Sequence, residues 1–244
     1  MSVLNKIFNS KSNNDLTCTA VIVAAGNSQR MGTDKILLPL GGKPVIAHTL
    51  SVFQRSPLID EIVVVTKHEN IVAIADICHE YGFNKVSVVT EGGITRAHSA
   101  LNGVLLASES SRLIAVHDGA RPFVTEELIE RVISAAADSG AAVPAVKPTD
   151  TVRILNAKGA VADTPDRNRV ALVQTPQIFD AELISRALIK VIAKDIAITD
   201  DASAVEAAGG RVSVVSGDSC NIKLTTPTDI YLAEKILSEK GTDL

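Results

Sequence analysis

Val21-Ile22-Val23-Ala24-Ala25-Gly26-Asn27-Ser28-Gln29-Arg30-Met31-Gly32, with Lys35 three residues on, is the stretch from which the fold is read. Its apolar residues run without a polar break into a loop of small residues, the pattern of a strand buried on both faces. Gly26 can take a positive φ and Gly32 adds a second flexible point, so the backbone N–H groups between them can converge on an anion. Arg30 and Lys35 place two positive charges just beyond that loop. Together these features make a cradle for a polyphosphate. The stretch has neither the Gly-Lys-Ser/Thr triplet of a Walker loop nor the three spaced glycines of a dinucleotide fingerprint. A plain strand–turn–helix, with Gly26 capping a turn and Arg30 solvated, fits the same residues.

Working outward, short apolar strands alternate with helical spacing. Residues 36–40 are apolar and end at the turn Gly41-Gly42-Lys43-Pro44, and residues 44–53 have helical spacing. Strands are expected at 62–66, 85–90 and 113–117, with helices at 71–81, 96–108 and from Thr125 to Ala137. Glu126 and Glu127 stand in the first turn of the last of these, where the helix dipole favours acid. The alternation predicts an α/β fold: a Rossmann-like, mostly parallel sheet with helices on both faces. Ligands of such sheets gather at the carboxyl ends of the strands, so the loops at 24–35, 91–99 and 118–122 should face one cleft.

The pattern breaks between about 147 and 175. Residues 151–155 and 160–162 read as two short strands around Asn156-Ala157-Lys158-Gly159, a hairpin turn. This excursion is too polar for core and too regular for a linker, and it predicts a protruding β-hairpin arm that packs on a second subunit. A solvent-exposed arm is the plainer alternative. Helix returns at 180–193, strand at 211–215, and a closing helix at 228–239. Residues 1–16 are polar and asparagine-rich and read as a flexible tail, leaving 17–244 as one domain that carries the arm.

Composition bounds the function. The chain has 244 residues, no tryptophan and 3% aromatic residues, so its core must be built from Val, Ile, Leu and Ala. A formal net charge of −4 argues against a nucleic-acid surface and against bulk attraction to anionic membrane, and any anion site must be a local pocket of cations. Cys18, Cys78 and Cys220 are far apart and odd in number, which suits a reducing compartment, and the expected location is the cytoplasm. No apolar run approaches the length of a membrane span.

Several residues could carry chemistry. Asp118 follows an apolar strand and precedes a glycine, a place from which a carboxylate can hold Mg²⁺ together with substrate phosphates. An Asx-turn cap explains the same position. Thr199-Asp200-Asp201-Ala202-Ser203 precedes an Ala-rich helix and reads as its N-cap. Lys223, between Ile222 and Leu224 at an expected strand end, is either an inward cation or an ordinary outward lysine. His48, His79, His98 and His117 have no metal-ligand spacing, and no Gly-x-Ser-x-Gly elbow is present.

Read together, Ala24-Ala25-Gly26-x-x-x-Arg30-Met31-Gly32 with Lys35, Gly92-Gly93-x-x-Arg96-x-x-Ser99 and His117-Asp118-Gly119-Ala120-Arg121-Pro122 resemble the nucleotidyltransferases that act on sugar phosphates. Asp150-Thr151-Val152-Arg153, Asp166-Arg167-Asn168, Gln174-Thr175-Pro176-Gln177, Thr199-Asp200-Asp201-Ala202-Ser203 and Asn221-Ile222-Lys223 narrow this. They resemble the 2-C-methyl-D-erythritol 4-phosphate cytidylyltransferases, over residues 19–238. One departure is that the lysine stands in Asp34-Lys35-Ile36, a shorter loop than the family's usual Pro-Lys-Gln.

The resemblance implies roles. Arg30 and Lys35 would hold the triphosphate of CTP and stabilise the transition state. Ala24, Ala25, Gly26, Gly92, Gly93, Arg96, Ser99, Gly119, Arg121 and Thr175 would belong to the substrate-binding site, with Asp118 near Mg²⁺ or another divalent cation. Thr151 and Arg167 would grip the polyol phosphate from the other subunit of a homodimer, and Lys223 would orient that phosphate. The implied reaction transfers CMP from CTP to 2-C-methyl-D-erythritol 4-phosphate, in the non-mevalonate isoprenoid precursor pathway. Two rival readings are a ribitol-5-phosphate cytidylyltransferase and a non-catalytic nucleotide-binding regulator. Retention of both Arg30 and Lys35 speaks against the regulator.

Overall fold

The computed structural model describes residues 16–26 and 34–240. The expected tail and Arg30 lie outside these residues, apart from Leu16. The chain opens with β1 (Cys18–Val23), the short pair β2 (Pro39–Leu40) and β3 (Lys43–Pro44), α1 (Val45–Arg55), β4 (Glu61–Thr66) and α2 (Ile71–Glu80). It continues through β5 (Val86–Glu91), α3 (Arg96–Leu106), β6 (Leu113–Asp118), α4 (Glu126–Ser139) and β7 (Ala141–Val146). β8 (Ile154–Leu155), β9 (Val161–Asp163) and β10 (Leu172–Val173) follow. The chain then forms β11 (Gln177–Asp180), α5 (Ala181–Ala193), α6 (Asp201–Ala207), β12 (Ser213–Ser216) and α7 (Pro227–Lys240).

β1 lies in the middle of the main sheet, parallel to both β4 and β6, and β5 extends the sheet parallel to β4. On the other side β11 runs antiparallel to β6 and to the start of β7. β7 also pairs antiparallel with β10 at its far end and parallel with β12 along its length. The sheet is therefore mostly parallel, as expected, with antiparallel insertions at β10 and β11.

The side-chain period of two sends alternate residues of β1 to opposite faces. Ala20 and Ile22 pack with Ile46, Leu50 and Phe53 of α1 and with the apolar side of α4. Val21 packs with Ala97, Ala100 and Val104 of α3 and with Ile184, Ala187 and Leu188 of α5. Burial on both faces explains the unbroken apolar run with which the strand was recognised. Gly103 lets α3 approach this closely, since a Cβ there would stand 2.3 Å from Val21 Cγ1 and 2.8 Å from Val65 Cγ2.

Local signals set the helix ends. Thr125 Oγ1 accepts the Leu128 N–H at 3.2 Å and starts α4 where expected. Gly140 ends α4 in the left-handed region (φ 81°) and lets the chain turn directly into β7. β7 was not anticipated from the sequence, and the break placed at about 147 begins where this strand ends. The excursion is shorter than expected, because β10 brings the chain back to the sheet at Leu172. Between these points β8 and β9 form the expected hairpin, in which Ile154, Leu155 and Val161 are all at least half exposed.

Candidate active site

The loops after β1, β5 and β6 converge on one cavity of about 510 Å³. Val23, Ala24, Ala25 and Gly26 form one wall, Gly93, Ile94, Thr95, Arg96 and Ser99 another, and Lys35, Asp118 and Lys223 stand between them. Gly26 is not in the left-handed region, so the positive φ allowed by its sequence is not used. What the small residues provide is space. A Cβ on Gly92 would stand 2.5 Å from Ala25 Cβ and 2.8 Å from Ser99 Oγ, so the β1 and β5 loops touch only because it has none. Ser99 Oγ accepts the Gly93 N–H at 3.1 Å and fixes the second loop to the first turn of α3.

Asp118 is the one carboxylate among the described lining residues, and cations surround it. Arg96 Nη1 donates to its Oδ1 at 2.8 Å, Lys223 Nζ lies 2.8 Å from Oδ2, and Arg121 Nε lies 3.6 Å from Oδ2. Burial alone would raise the proton affinity of this carboxyl, but Arg96, Lys223 and Arg121 outweigh it and hold the group well below the usual carboxylate range. Asp118 is therefore ionised at any working pH. The turn its backbone makes with Arg121 (N–H to O, 3.0 Å) does not involve the carboxylate.

A buried polar chain behind the cavity holds this arrangement. The Asp118 N–H donates to Thr175 Oγ1 at 3.1 Å, and that hydroxyl lies 3.1 Å from His117 Nδ1. The Arg121 carbonyl can only accept, so His117 Nε2, 3.2 Å away, carries the ring proton and the Thr175 hydroxyl donates to Nδ1. Asn221 Nδ2 donates to the Thr175 carbonyl at 2.8 Å, and Arg121 Nη1 to the Asn221 carbonyl at 2.7 Å. These bonds fasten the loop after β12, and Lys223 on that loop is thereby aimed at Asp118. It stands in this loop, not at the strand end expected from sequence.

A second acid was missed. Asp201, fully buried at the start of α6, accepts from Arg96 Nη2 at 2.6 Å. Asp200 is the N-cap, in a capping box with Ser203, as the sequence suggested. The cap reading is correct for Asp200 and incomplete for its neighbour. The one available signal was the doubled acid, since a cap needs only the first carboxylate.

The family model for IspD, 2-C-methyl-D-erythritol 4-phosphate cytidylyltransferase, matches residues 18–239. The chain belongs to this cytidylyltransferase family. A 2-C-methyl-D-erythritol 4-phosphate cytidylyltransferase of Dehalococcoides mccartyi (strain CBDB1) is 44% identical over 223 residues, covering 91% of this chain and 96% of that protein. One from Alkaliphilus oremlandii is 40% identical over 225 residues, covering 91% and 95%. Among solved structures, the 4-diphosphocytidyl-2C-methyl-D-erythritol synthase of Anaerococcus prevotii superposes with a TM-score of 0.83 at 35% identity, covering 91% of this chain and 96% of that one.

Of the residues singled out from the cytidylyltransferase resemblance, Ala24, Ala25, Gly26, Lys35, Gly93, Arg96, Ser99, Asp118 and Lys223 line the cavity. Gly92, Gly119, Arg121 and Thr175 stand just behind it. Gly119 packs on Ala24 and Ile46, while Arg121 and Thr175 hold the groups described above. Thr151 and Arg167 do not line it. They lie on the arm, where Arg167 Nη1 donates to the Thr149 carbonyl at 3.3 Å and Thr151 is exposed.

Members of this family are nucleotidyltransferases, whose chemistry calls for a divalent cation. Among the described residues no group of three or more His, Cys, Asp or Glu is placed to hold a metal. Asp118 is the one ionised carboxylate of the described lining that a divalent cation could meet. Its two oxygens already meet cations, so most of the ligands would come from the substrate.

Proposed function

We propose that this protein transfers CMP from CTP to 2-C-methyl-D-erythritol 4-phosphate and releases pyrophosphate, a step of the non-mevalonate route to isoprenoid precursors. The observation that carries the reading is a cavity lined by Lys35, Arg96 and Lys223 and, among the described residues, by one acid, Asp118, in a chain of this family. A phosphate oxygen of the acceptor attacks the α-phosphorus of CTP. A new P–O bond forms, the bond from the α-phosphorus to the bridging oxygen breaks, and pyrophosphate leaves with the electron pair. A phosphomonoester with a second pKa of about 6 is already mostly dianionic near neutral pH, so no general base is required.

The obstacle is the meeting of two anions, and the residues answer it. Lys35, with Arg30, holds the triphosphate and stabilises the negative charge that gathers on the departing pyrophosphate. Lys223 turns from Asp118 to the acceptor phosphate. Asp118 keeps Arg96, Arg121 and Lys223 gathered although they repel one another. A divalent cation held by the triphosphate and Asp118 would neutralise charge on the phosphoryl oxygens. The loops bearing Ala24, Ala25, Gly26, Gly93 and Ser99 take the cytidine through backbone groups and the serine hydroxyl.

The reading includes a homodimer whose cavities are completed by the partner's arm. Exposed Ile154, Leu155 and Val161 on the hairpin favour it, and Thr151 and Arg167 are not among the residues that line their own cavity. Each chain is one domain, 17–244, working in the cytoplasm. Its three unpaired cysteines suit that compartment, and among the described residues no helix is long and apolar enough to cross a membrane.

The test is pyrophosphate release from CTP with 2-C-methyl-D-erythritol 4-phosphate, with ribitol 5-phosphate, and with neither. Release with the first alone supports the proposal. Release only with ribitol 5-phosphate replaces the acceptor, and CTP binding without turnover makes the protein a regulator.

A further inference from the structure

Lys35 lies between two residues that are held firmly and differently. On one side Ile36 is buried, and its carbonyl accepts the Ile46 N–H at 2.9 Å, which ties it to the first turn of α1. On the other, Asp34 Oδ2 receives Lys67 Nζ at 2.9 Å and Asn70 Nδ2 at 2.6 Å. Lys67 precedes and Asn70 ends the 3₁₀ turn His68–Asn70 beyond the carboxyl end of β4, the strand beside β1. Asn70 is buried, and the Asp34 and Lys67 side chains are 18% and 20% exposed. The ion pair is thus largely sheltered from solvent, where such a contact is screened less than on an open surface.

The Ile36 attachment belongs to the core, whereas the Asp34 attachment is polar and joins two loops at the rim of the cavity. Asp34 itself does not line the cavity, and Lys35 does. We propose that Asp34, gripped by Lys67 and Asn70, is a positioning residue that sets where the Lys35 ammonium meets the β- and γ-phosphates of a nucleoside triphosphate. The inference rests on the reading of this cavity as a CTP site. Holding the lysine's backbone from both sides lowers the ordering cost of presenting a long, flexible side chain to an anion. The role is confined to the polyphosphate end. In that reading the cytidine and first phosphate lie against Ala24, Ala25, Gly26, Gly93 and Ser99, whereas the Asp34 carboxylate bonds Lys67 and Asn70.

The experiment is calorimetric titration of CTP and of CMP into the parent, Asp34→Ala, Lys35→Ala and the double variant. CMP lacks the two phosphates in question. Loss of a positioned charge contact should weaken CTP by about tenfold in Asp34→Ala, because Lys35 keeps its charge and loses only its placement. CMP affinity should stay as in the parent, and the double variant should bind CTP no more weakly than Lys35→Ala. Equal losses for CTP and CMP, or a further full loss on top of Lys35→Ala, would overturn the assignment. Lys67→Met approaches the same contact from the other side. If Asp34→Ala fails to fold, the CTP-specific loss must appear there, and unchanged CTP affinity overturns the proposal. A parent that binds no CTP refutes the cytidylyltransferase reading itself, whereas a parent that binds CTP with Asp34→Ala unaffected refutes only the positioning role.

Discussion

Arg96 bridges Asp118 and Asp201, its Nη1 lying 2.8 Å from Asp118 Oδ1 and its Nη2 2.6 Å from Asp201 Oδ2. One guanidinium thus joins the end of the β6 strand to the start of the α6 helix. Burial would lower its proton affinity, but Asp201 and Asp118 overcome this and raise it, so Arg96 stays charged. Burial raises the proton affinity of Asp201, against the opposing pull of Arg96. Asp201 contributes nothing directly to the cavity, which it does not line. It fixes the residue that fixes Asp118.

Asp201→Ala should therefore cost both stability and turnover. Removing one partner of a buried ion pair typically costs about 3–5 kcal/mol, and Arg96 retains Asp118, so the lower end is expected. Urea denaturation measures the loss. In a variant that remains folded, kcat should fall more than KM for CTP changes. A parent-like denaturation midpoint would mean that the pair is not formed in solution.

Asp118→Asn keeps the shape and removes the charge that Arg96, Lys223 and Arg121 share. With no common acid the three cations repel, and their placement for phosphate is lost. Removal of one such electrostatic arrangement lowers kcat by roughly 10²–10³. The requirement for Mg²⁺ should rise as well, read from activity as the cation is titrated. Full activity with a parent-like Mg²⁺ curve would leave Asp118 a turn residue and nothing more.

His117 predicts a pH dependence of stability. Burial pushes its pKa down from the ordinary 6.5 to about 3, against the opposing pull of Asp118. Between those values the unfolded chain binds a proton that the folded one does not. The stabilising contribution is fully present above pH 6.5 and is lost as pH falls toward about 3, with a limiting slope of about 1.4 kcal/mol per pH unit. Histidine NMR with the rings assigned should find the His117 imidazole neutral at pH 5 with the proton on Nε2, separately from His48, whose pKa burial also lowers. If all the folded-state histidines titrate near 6.5, the buried hydrogen-bond chain through Thr175 is wrong.

What was legible in the sequence follows a physical division. β1, β4 and β6 are covered on both faces, so their apolar runs stood out, and the loops that follow β1, β5 and β6 do share a cavity. β7 was hidden because Gly140-Ala141-Ala142-Val143-Pro144 has few β-branched residues and a proline, and its burial comes from distant partners on β11 and β12. Asp201 was hidden for a related reason. Its partner Arg96 is 105 positions away, and the local pattern around it is already explained by a helix cap. Thr175 was placed among the substrate contacts because its motif resembled a family segment. Its hydroxyl is shared between the Asp118 N–H and His117, and only the folded backbone reveals that.

The arm gives the last prediction. If Thr151 and Arg167 complete the partner's cavity, Lys35→Ala and Arg167→Ala damage opposite contributions to a shared site. A mixed dimer would then contain one site with both lesions and one with neither. Random pairing makes half of the dimers mixed, with one intact site of two in each, so co-refolding the two inactive variants should restore up to about a quarter of the parent's activity. Were Arg167 to act within its own chain, every site would carry one lesion and the mixture would stay inactive. Sedimentation run alongside must find dimers, because a monomeric parent would contradict the shared site whatever the activity.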